Sequence, residues 1–369
     1  MYQQQNRIIF VLTILIMAVG LVALYSVTYQ REALFKSIFL SQFFRAVIGV
    51  VILLLLSNFN YRRFYDFAYI LYAISIFLLL IVLVTGREIL GARRWIEFLG
   101  LNFQPAELAK LSLILVLARQ FSQRQTYGSG FRTYGIINTF FKELFYPFLF
   151  VLVPMALIIL QPDLGTALLL LPIFLSVLFI SEIKIAYIFS LVGLGLLSMP
   201  LFWNFLREYQ KERLLVFLNP NIDPLGAGYT IIQSKIAVGS GGFLGKGWLA
   251  GTQNQLNFLP ERHTDFIFSV IGEEWGFLGV TLLILLYCAL IFYAIRIVEQ
   301  TNDKFAKFLS VGFISLFAIQ VIINISMTIG ICPVVGLSLP LISYGGSSMF
   351  TFLIFIAILL NINKKRIVF

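Results

Sequence analysis

The sequence predicts an all-α, polytopic integral membrane protein with about ten transmembrane helices and one long extracytoplasmic loop. Two observations support this fold class. Of the 369 residues, 60% are hydrophobic and only 12% are charged, whereas charged residues make up about 25% of a typical soluble domain. The apolar residues also gather in long segments, and a hydrocarbon core of about 30 Å needs roughly 20 such residues per helix.

Ten segments are assigned as spans on this basis. The first lacks a small-x-small cleavage site and is long enough to span, so it is interpreted as helix one rather than as a signal peptide. Gln, Pro, Asp and Gly interrupt the ends of spans four to six, and spans one, three, seven and nine are interpreted as mainly hydrophobic packing. The predicted spans lie near residues 8–27, 38–57, 65–86, 104–121, 145–161, 165–181, 185–203, 266–295, 306–330 and 341–362.

The orientation follows from Lys and Arg, which concentrate in the short loops on the cytoplasmic side. One side of the predicted bundle, which includes both termini, holds most of these cations. We therefore expect both termini to be cytoplasmic, which requires an even number of spans. The short loops of the other side hold only Arg31, Lys36, Arg87, Arg93 and Arg94.

The net charge of +10 raises the question of a nucleic-acid partner. The cations are spread between hydrophobic segments, and no basic face or recognition motif gathers them. Nucleic acid is therefore excluded as a partner. Membrane lipid headgroups, or an anionic lipid-linked substrate, account better for the excess charge. The two cysteines are too few to indicate a disulfide framework.

The outer loop at residues 204–264 separates spans seven and eight and is far longer than an ordinary connection. Long structured loops are usually functional, so we favour a functional role over a plain spacer. Residues 228–238 (GYTIIQSKIAV) form an amphipathic piece that is predicted to lie on the membrane surface.

Ionisable residues at membrane depth are costly and are functional candidates by default. In span four, Glu107 and Lys110 are three residues apart and share one helix face. They form either a structural ion pair or the wall of a polar cavity that holds a charged headgroup. Arg45 lies inside span two, where it either reaches outward to the interface or faces that cavity.

Between spans five and six lies QPDLGTA, in which Asp163 directly precedes a predicted helix start. An acidic side chain at this position is a typical helix N-cap. We favour capping slightly over direct chemistry at Asp163.

The most informative carboxylate is Asp265, at the point where the outer loop joins span eight. Partial desolvation there raises the pKa of a carboxyl group and makes it a better base. The alternative is that Asp265 caps span eight. The surrounding polar residues, which include Arg262 and the only histidine, His263, favour function. No cluster of Cys and His accompanies His263, so zinc is not expected.

Two further acids, Glu273 and Glu274, follow in span eight. On a regular helix they lie about 12–14 Å from Asp265. We therefore expect them to orient neighbouring helices rather than to act with Asp265.

Two prolines and a Gly pair interrupt the start of span ten, PVVGLSLPLISYGGSS. An interruption of this kind either is a packing kink or bends the backbone toward a cavity and exposes carbonyl and hydroxyl groups. In the second case Ser343, Tyr344 and Ser347 line a substrate groove.

Four segments together resemble one family, and they occur in its order along nearly the whole chain. They are GARRWIEFLGLNFQPAELAKL (91–111), QPDLGTA (161–167), GSGGFLGKGWLAGTQNQLNFLPERHTDFIFSVIGEEWG (239–276) and GLSLPLISYGGSS (336–348). The family is that of the shape, elongation, division and sporulation (SEDS) proteins. The stretch NPNIDPLGAGYTIIQSKIAVGSGG (219–242) and the short tails resemble the RodA type more than the FtsW type.

The resemblance implies a peptidoglycan glycosyltransferase of the bacterial cytoplasmic membrane that polymerises lipid II for cell elongation. It implies a class B penicillin-binding protein as the cross-linking partner. It also implies that the Asp of the HTDF motif, Asp265, is the essential catalytic residue, and that Glu107 and Lys110 line the central cavity. Ala106 stands where many members have Ser.

Lipid II carries its sugar in α linkage and the polymer is β-1,4, so inversion requires a single displacement with a base. Asp265 is the candidate base. Positive charge for the leaving pyrophosphate could come from Lys110, Arg45, Arg94, Arg262 or a divalent cation such as Mg²⁺. No cofactor is certain from the sequence, and a metal site is not assigned.

The sequence is also compatible with two other functions. A flippase that carries lipid II would also use charges between helices, although no internal repeat of the kind found in transporters is evident. A non-catalytic scaffold for cell-wall enzymes would not need Asp265.

Overall fold

The computed structural model describes residues 2–29, 35–89, 92–98, 101–126, 144–181, 183, 185–204, 206 and 208–365. Within these residues, one helix corresponds to each of the ten predicted spans, which confirms the all-α membrane fold. These helices are α1 (Tyr2–Thr28), α2 (Phe35–Leu56), α3 (Arg62–Thr85), α4 (Pro105–Thr126), α5 (Tyr146–Leu160), α6 (Leu164–Ile180), α7 (Ile185–Trp203), α11 (Ile267–Glu299), α12 (Lys304–Thr328) and α13 (Gly346–Lys365).

Length and apolar character divide these helices into groups. Six described helices, α1, α2, α3, α11, α12 and α13, are long and apolar enough to cross a membrane by themselves, and α5, α6 and much of α7 are shorter apolar helices. Apolar side chains on the outer surface, such as Phe77, Leu197 and Leu285, are exposed on the protein, as lipid-facing side chains are. The chain is therefore a multi-pass membrane protein.

Helix α4 lies in the middle of the bundle, between α3 and α12. All side chains from Leu113 to Ala118 are fully buried. Burial on all sides explains why this helix can carry Glu107 and Lys110, because neither side chain has to face lipid.

The connection between α3 and α4 forms a small antiparallel sheet that the sequence analysis did not predict. Its strands are β1 (Arg87–Ile89), β2 (Ala92–Phe98) and β3 (Leu101–Phe103), in the order β1-β2-β3. Trp95 and Ile96 in β2 are residue types that favour strands. The sheet matters for the site because it carries Arg94.

The long loop between α7 and α11 is structured. It contains α8 (Glu208–Leu218), a 3₁₀ turn at Pro220–Ile222, α9 (Ala227–Ser240) and the short α10 (Thr252–Gln255). Helix α9 corresponds to the predicted amphipathic piece, and it buries Ile231, Ser234 and Ala237. Helix α9 packs against α11, where the Ser234 and Ser269 hydroxyl oxygens are 2.7 Å apart. That α9 lies on the membrane surface remains a prediction.

Helix α11 is 33 residues long, but it is not regular. Gly276 has φ of 63° and ψ of −161°, which breaks the helix after its first nine residues. An unbroken helix of this length would measure about 50 Å, well beyond a hydrocarbon core of about 30 Å. The break separates a short first half, which begins just after Asp265, from the lipid-facing second half.

The two adjacent acids in the first half of α11 hold other elements in place, as predicted. Glu273 accepts hydrogen bonds from Lys246 Nζ at 2.7 Å and from the Gln253 backbone N–H at 3.0 Å. Glu274 accepts one from the Ser26 hydroxyl on α1. These contacts bind the loop and α1 to α11.

Candidate active site

The chain between α12 and α13, residues 331–345, is here called the central segment. It has no regular hydrogen bonding of its own, so side chains of neighbouring helices satisfy its carbonyls. Asn324 Nδ2 donates to Leu337 O at 2.6 Å, Gln320 Nε2 donates to Ser338 O at 2.9 Å, and the Tyr287 hydroxyl donates to Pro340 O at 2.6 Å. The predicted interruption before span ten is therefore a built feature and not a simple kink.

Asp265 lies in a turn that the central segment and α12 hold from two sides. Asn324 Nδ2 also donates to Asp265 O at 3.0 Å. The Ser343 hydroxyl donates to Thr264 O at 2.5 Å, and the Tyr344 backbone N–H donates to His263 O at 2.9 Å. These bonds fix the backbone of the turn while leaving the Asp265 carboxylate available.

The Asp265 side chain does not cap α11. The N-cap residue is Phe266, which provides no side-chain hydrogen bond. Among the described residues, none donates a hydrogen bond to the Asp265 carboxylate. Gly336 of the central segment faces it, since a Cβ at Gly336 would lie 3.6 Å from Asp265 Oδ2. The capping explanation for Asp265 is therefore wrong.

The electrostatic surroundings of Asp265 make it a stronger base than an ordinary aspartate. Loss of contact with water, and then the nearby negative charge of Glu261, raise the pKa of its carboxyl group to about 6. The positive charges of Arg213 and Arg94 act in the opposite direction. A carboxylate with a pKa near 6 is ionised at neutral pH and still binds a proton more readily than aspartate in water.

This pKa predicts the pH dependence of any reaction in which Asp265 is the base. We expect kcat/KM to rise about tenfold per pH unit below pH 6 and to level off above it, because only the ionised carboxylate accepts a proton. Glu261→Gln removes a negative charge that raises the pKa, so its profile should shift to lower pH. Initial rates between pH 4.5 and 8 in both proteins measure the effect, and identical profiles would contradict it.

Asp163 has two structural roles at the start of α6. Its Oδ1 accepts a hydrogen bond from the Thr166 backbone N–H at 3.2 Å, so the predicted capping is confirmed. The same oxygen lies 3.6 Å from Arg94 Nη1, and Arg94 Nη2 donates to Pro162 O at 2.6 Å. Gly165 lets α6 approach the central segment closely, because a Cβ there would lie 2.3 Å from Val335 O.

Arg213 of α8 is a site residue that the sequence analysis missed. Its Nη1 donates to Val334 O at 3.1 Å. Three adjacent residues of the central segment thus have three different neighbours: Val334 accepts a hydrogen bond from Arg213, Val335 lies against Gly165, and Gly336 lies beside the Asp265 carboxylate. Arg213 on α8 and Arg94 on β2 lie on the same side of the bundle as Asp265. Their positive charges therefore lower the pKa of its carboxyl group.

Glu107 and Lys110 form a buried ion pair, with 2.7 Å between Lys110 Nζ and Glu107 Oε1. Lys110 Nζ also lies 3.3 Å from Gln320 Oε1, and its amine is 5.9 Å from the centre of the Phe352 ring. Gln320 is one turn of α12 from Asn324. The pair is therefore linked to the central segment through Gln320 and is fully enclosed by protein.

Arg45 faces the protein rather than lipid. Its guanidinium carbon lies 5.0 Å from the centre of the Tyr344 ring, close to the start of α13. The inward orientation is therefore confirmed, while a role of Arg45 in lining a substrate cavity stays a prediction. The Ser347 hydroxyl accepts a hydrogen bond from the Gln104 backbone N–H at 3.1 Å and donates to Asn102 O at 3.3 Å. Ser347 therefore joins α13 to the segment that leads from β3 into α4.

Three polar neighbours of Asp265 have mainly structural contacts. Arg262 is buried and donates to the Asn257 side-chain oxygen. Burial lowers the pKa of His263, which favours the neutral form of its ring. Its ring centre lies 5.7 Å from that of Tyr344. Ser343 supports the turn through Thr264, and its hydroxyl also accepts a hydrogen bond from the Leu339 backbone N–H at 2.8 Å.

A divalent cation has few protein ligands at this site. No group of three or more His, Cys, Asp or Glu side chains converges within the described part of the chain. Mg²⁺ commonly binds one or two carboxylates and completes its shell with water and substrate phosphate oxygens. Asp265 is the carboxylate that fits such a partial shell, and the remaining ligands would have to come from substrate and water.

A separate polar cleft of about 570 Å³ lies at the opposite end of α11, with Arg62, Asp66 and Asp303 in its lining. It shares no residue with the cluster around Asp265. The candidate site is the Asp265 cluster, because buried charge, carboxylate chemistry and the central segment meet there.

Helix α12 contributes two side chains that the sequence analysis did not single out. Span nine was interpreted as mainly hydrophobic packing, and its buried Gln320 and Asn324 hold the central segment and the Asp265 turn. The mainly hydrophobic helix thus has one polar face that the sequence analysis overlooked. The signal was present in the sequence, because two amides four residues apart in an apolar helix lie on one face and need partners.

Comparison with known proteins identifies the family. The sequence pattern of the cell cycle protein family of FtsW, RodA and SpoVE matches residues 6–367. The chain belongs to this family. It is 40% identical over 320 residues to peptidoglycan glycosyltransferase MrdB of Escherichia coli K12. The matched region covers 86% of this chain and 84% of that relative.

Two solved structures extend the similarity of this FtsW/RodA/SpoVE protein to its whole length. A chain of a peptidoglycan synthase complex, from a study of how polymerization and crosslinking are coordinated, is 36% identical with a TM-score of 0.79 and 97% coverage of both chains. The rod shape determining protein RodA of Thermus thermophilus is 32% identical with a TM-score of 0.70, over 97% of this chain and 96% of that one. The fold and the order of motifs are thus those of this family.

Proposed function

We propose that this chain is a peptidoglycan glycosyltransferase that polymerises lipid II into β-1,4 glycan strands, with Asp265 as the general base. The observation that carries the proposal is the state of that carboxylate. It is partly buried, has a raised pKa, caps no helix, and lies beside Gly336 of the central segment, whose neighbour Val334 accepts a hydrogen bond from Arg213. The printed activity of MrdB supports the same reaction class.

The proposed reaction is one displacement with inversion. Asp265 takes the proton from the acceptor 4-hydroxyl while that oxygen bonds to C1 of the donor sugar. The bond from C1 to the lipid pyrophosphate breaks, and the electron pair leaves with undecaprenyl pyrophosphate. Arg213 and Arg94 are our candidates for stabilising the negative charge of the leaving group. Each would have to exchange a present carbonyl contact, to Val334 or Pro162, for a phosphate oxygen.

The proposed setting is the bacterial cytoplasmic membrane, with Asp265 on the outer side and both termini in the cytoplasm. The distribution of Lys and Arg supports this orientation. The proposed partner is a class B penicillin-binding protein, a transpeptidase that cross-links the new strands. The complex named in the structural comparison combines polymerization with crosslinking and supports a partner of this kind. The name of the Thermus thermophilus relative, rod shape determining protein RodA, supports a role in rod shape, and cell elongation is the process that we propose this chain serves.

The decisive experiment supplies lipid II in detergent micelles to the purified chain, with and without a class B penicillin-binding protein, and with and without a chelator. We expect glycan polymer from the complex. A flippase would produce no polymer in micelles but would move lipid II in vesicles, and a scaffold would do neither. Loss of polymer on addition of chelator, with recovery on Mg²⁺, would assign the divalent cation.

Arg213 gives a second test of the same site. We expect Arg213→Gln to raise KM for lipid II on the order of tenfold, because a charged hydrogen-bond donor to phosphate is lost. Arg213→Lys should retain part of the affinity. Lys211→Gln on the same helix is the control, since Lys211 pairs with Glu208 at 3.0 Å and has no contact with the central segment. Equal KM values in the Arg213→Gln and Lys211→Gln proteins would contradict the assignment.

A further inference from the structure

The loop between α9 and α10 contains a tight turn, residues 241–248, here called the glycine turn. Gly242, Gly245 and Gly247 all have positive φ, at 58°, 83° and 101°. Glycine adopts this conformation without steric cost. The turn therefore has a defined shape that other residues would strain.

The glycine turn is bound directly to the break in α11. The Lys246 backbone N–H donates to Glu273 O at 3.0 Å, and the Phe277 backbone N–H donates to Gly242 O at 2.9 Å. The two chains approach so closely that a Cβ at Gly276 would lie 2.2 Å from Gly245 N. The glycine turn packs directly against the break in α11, and these backbone hydrogen bonds hold the turn against the bundle.

The polar and apolar side chains of the glycine turn point in different directions. The Lys246 amine bonds to Glu273 Oε1 at 2.7 Å, toward the protein. Phe243, Leu244 and Trp248 point outward and are 63%, 73% and 52% exposed. Three large apolar side chains within six residues are thus more than half exposed, which is uncommon on a surface that faces water.

Two aromatic stacks place this apolar surface beside the lipid-facing part of the bundle. The Phe243 ring stacks on Phe277, with 5.8 Å between ring centres, and Phe277 begins the exposed apolar stripe that continues through Leu278 and Leu282 of α11. The Trp248 ring stacks on Tyr25 in the last turns of α1, at 5.7 Å. The turn is therefore continuous with the membrane-spanning surface, at the end where Asp265 lies.

We propose that Phe243, Leu244 and Trp248 insert into the membrane leaflet on the Asp265 side and anchor the long loop to it. A lipid surface fits better than a protein partner, because the patch continues the lipid-facing stripe of α11 and offers no acidic side chain for recognition. Aromatic side chains, and Trp in particular, favour the region between headgroups and acyl chains. Through the Lys246–Glu273 contact, the anchor sets the height of the loop and of the first half of α11 relative to the bilayer.

The test measures quenching of Trp248 by brominated phospholipids in nanodiscs. The contribution of Trp248 is obtained as the difference between the natural protein and Trp248→Phe, so the other tryptophans stay in place. We expect bromine near the carbonyl end of the acyl chain to quench this difference signal by about half or more, and bromine near the methyl end to quench it less. Aqueous iodide should have little effect.

A double variant and a matched control complete the experiment. Phe243→Ser with Leu244→Ser should lower the bromolipid quenching of Trp248 and raise its quenching by iodide. Leu256→Ser changes another exposed leucine outside the turn, 62% exposed against 73% for Leu244, and should leave both kinds of quenching unchanged. Quenching of the natural protein by iodide but not by bromolipid would overturn the proposal. Protection from iodide only when a penicillin-binding protein is added would also overturn it, in favour of a protein-covered surface.

Discussion

Asp265→Asn is expected to lower the rate of lipid II polymerisation by at least about 100-fold, since general base catalysis contributes roughly 10²–10⁴-fold. Asparagine has nearly the same shape but cannot accept the proton. The melting temperature should stay within the error of the measurement, because none of the described residues donates a hydrogen bond to the carboxylate and Asp265 caps no helix. Gel analysis of glycan products and thermal unfolding of the same sample provide the two readouts.

Glu261→Gln is the matched control for this substitution. It also converts an acid to an amide, four residues away in the same turn, but on an exposed side chain. Its polymerisation rate at neutral pH should remain within about twofold of the natural protein, because Asp265 is ionised there in both. Full activity of Asp265→Asn would refute the base assignment and would leave a scaffold as the better account.

Glu107→Ala is expected to have the largest effect on stability. Lys110 is wholly buried and bonded to Glu107 at 2.7 Å, so removing Glu107 leaves a buried charge without its partner. Breaking a buried ion pair in this way costs about 3–5 kcal/mol. We expect a clear drop in melting temperature together with lower activity, because Lys110 is linked to the central segment through Gln320.

Two further variants separate charge from packing at this pair. Glu107→Leu combined with Lys110→Met removes both charges, and we expect it to be more stable than Glu107→Ala. Glu208→Ala breaks another pair at the same three-residue spacing, but Glu208 is 92% exposed, so its melting temperature should not change measurably. An unchanged melting temperature in Glu107→Ala would show that the pair is not structural.

The helices were largely predictable because their signal is local. A span needs only a long enough run of apolar residues, and the predicted ends lie within a few residues of the observed ones for most helices. The sheet at β1–β3 was missed because two of its three strands have only three residues, too few to show an alternating pattern. The break in α11 was missed because Gly276 is an ordinary helix residue in sequence, and its positive φ follows from contact with the glycine turn.

The sequence by itself determined the membrane bundle, the family motifs and the candidate base Asp265, since these depend on composition, spacing and residue type along the chain. The tertiary structure alone decided which distant residues meet that base. Arg213 and Val334 are 121 positions apart, and nothing in the pattern of either segment shows that one donates to the other. The central segment lacks regular hydrogen bonding, so its buried carbonyls take partners from α11 and α12, and its more exposed Val334 carbonyl takes one from α8. Unpaired backbone groups away from water require such partners, and only the packing of the helices determines which side chains supply them.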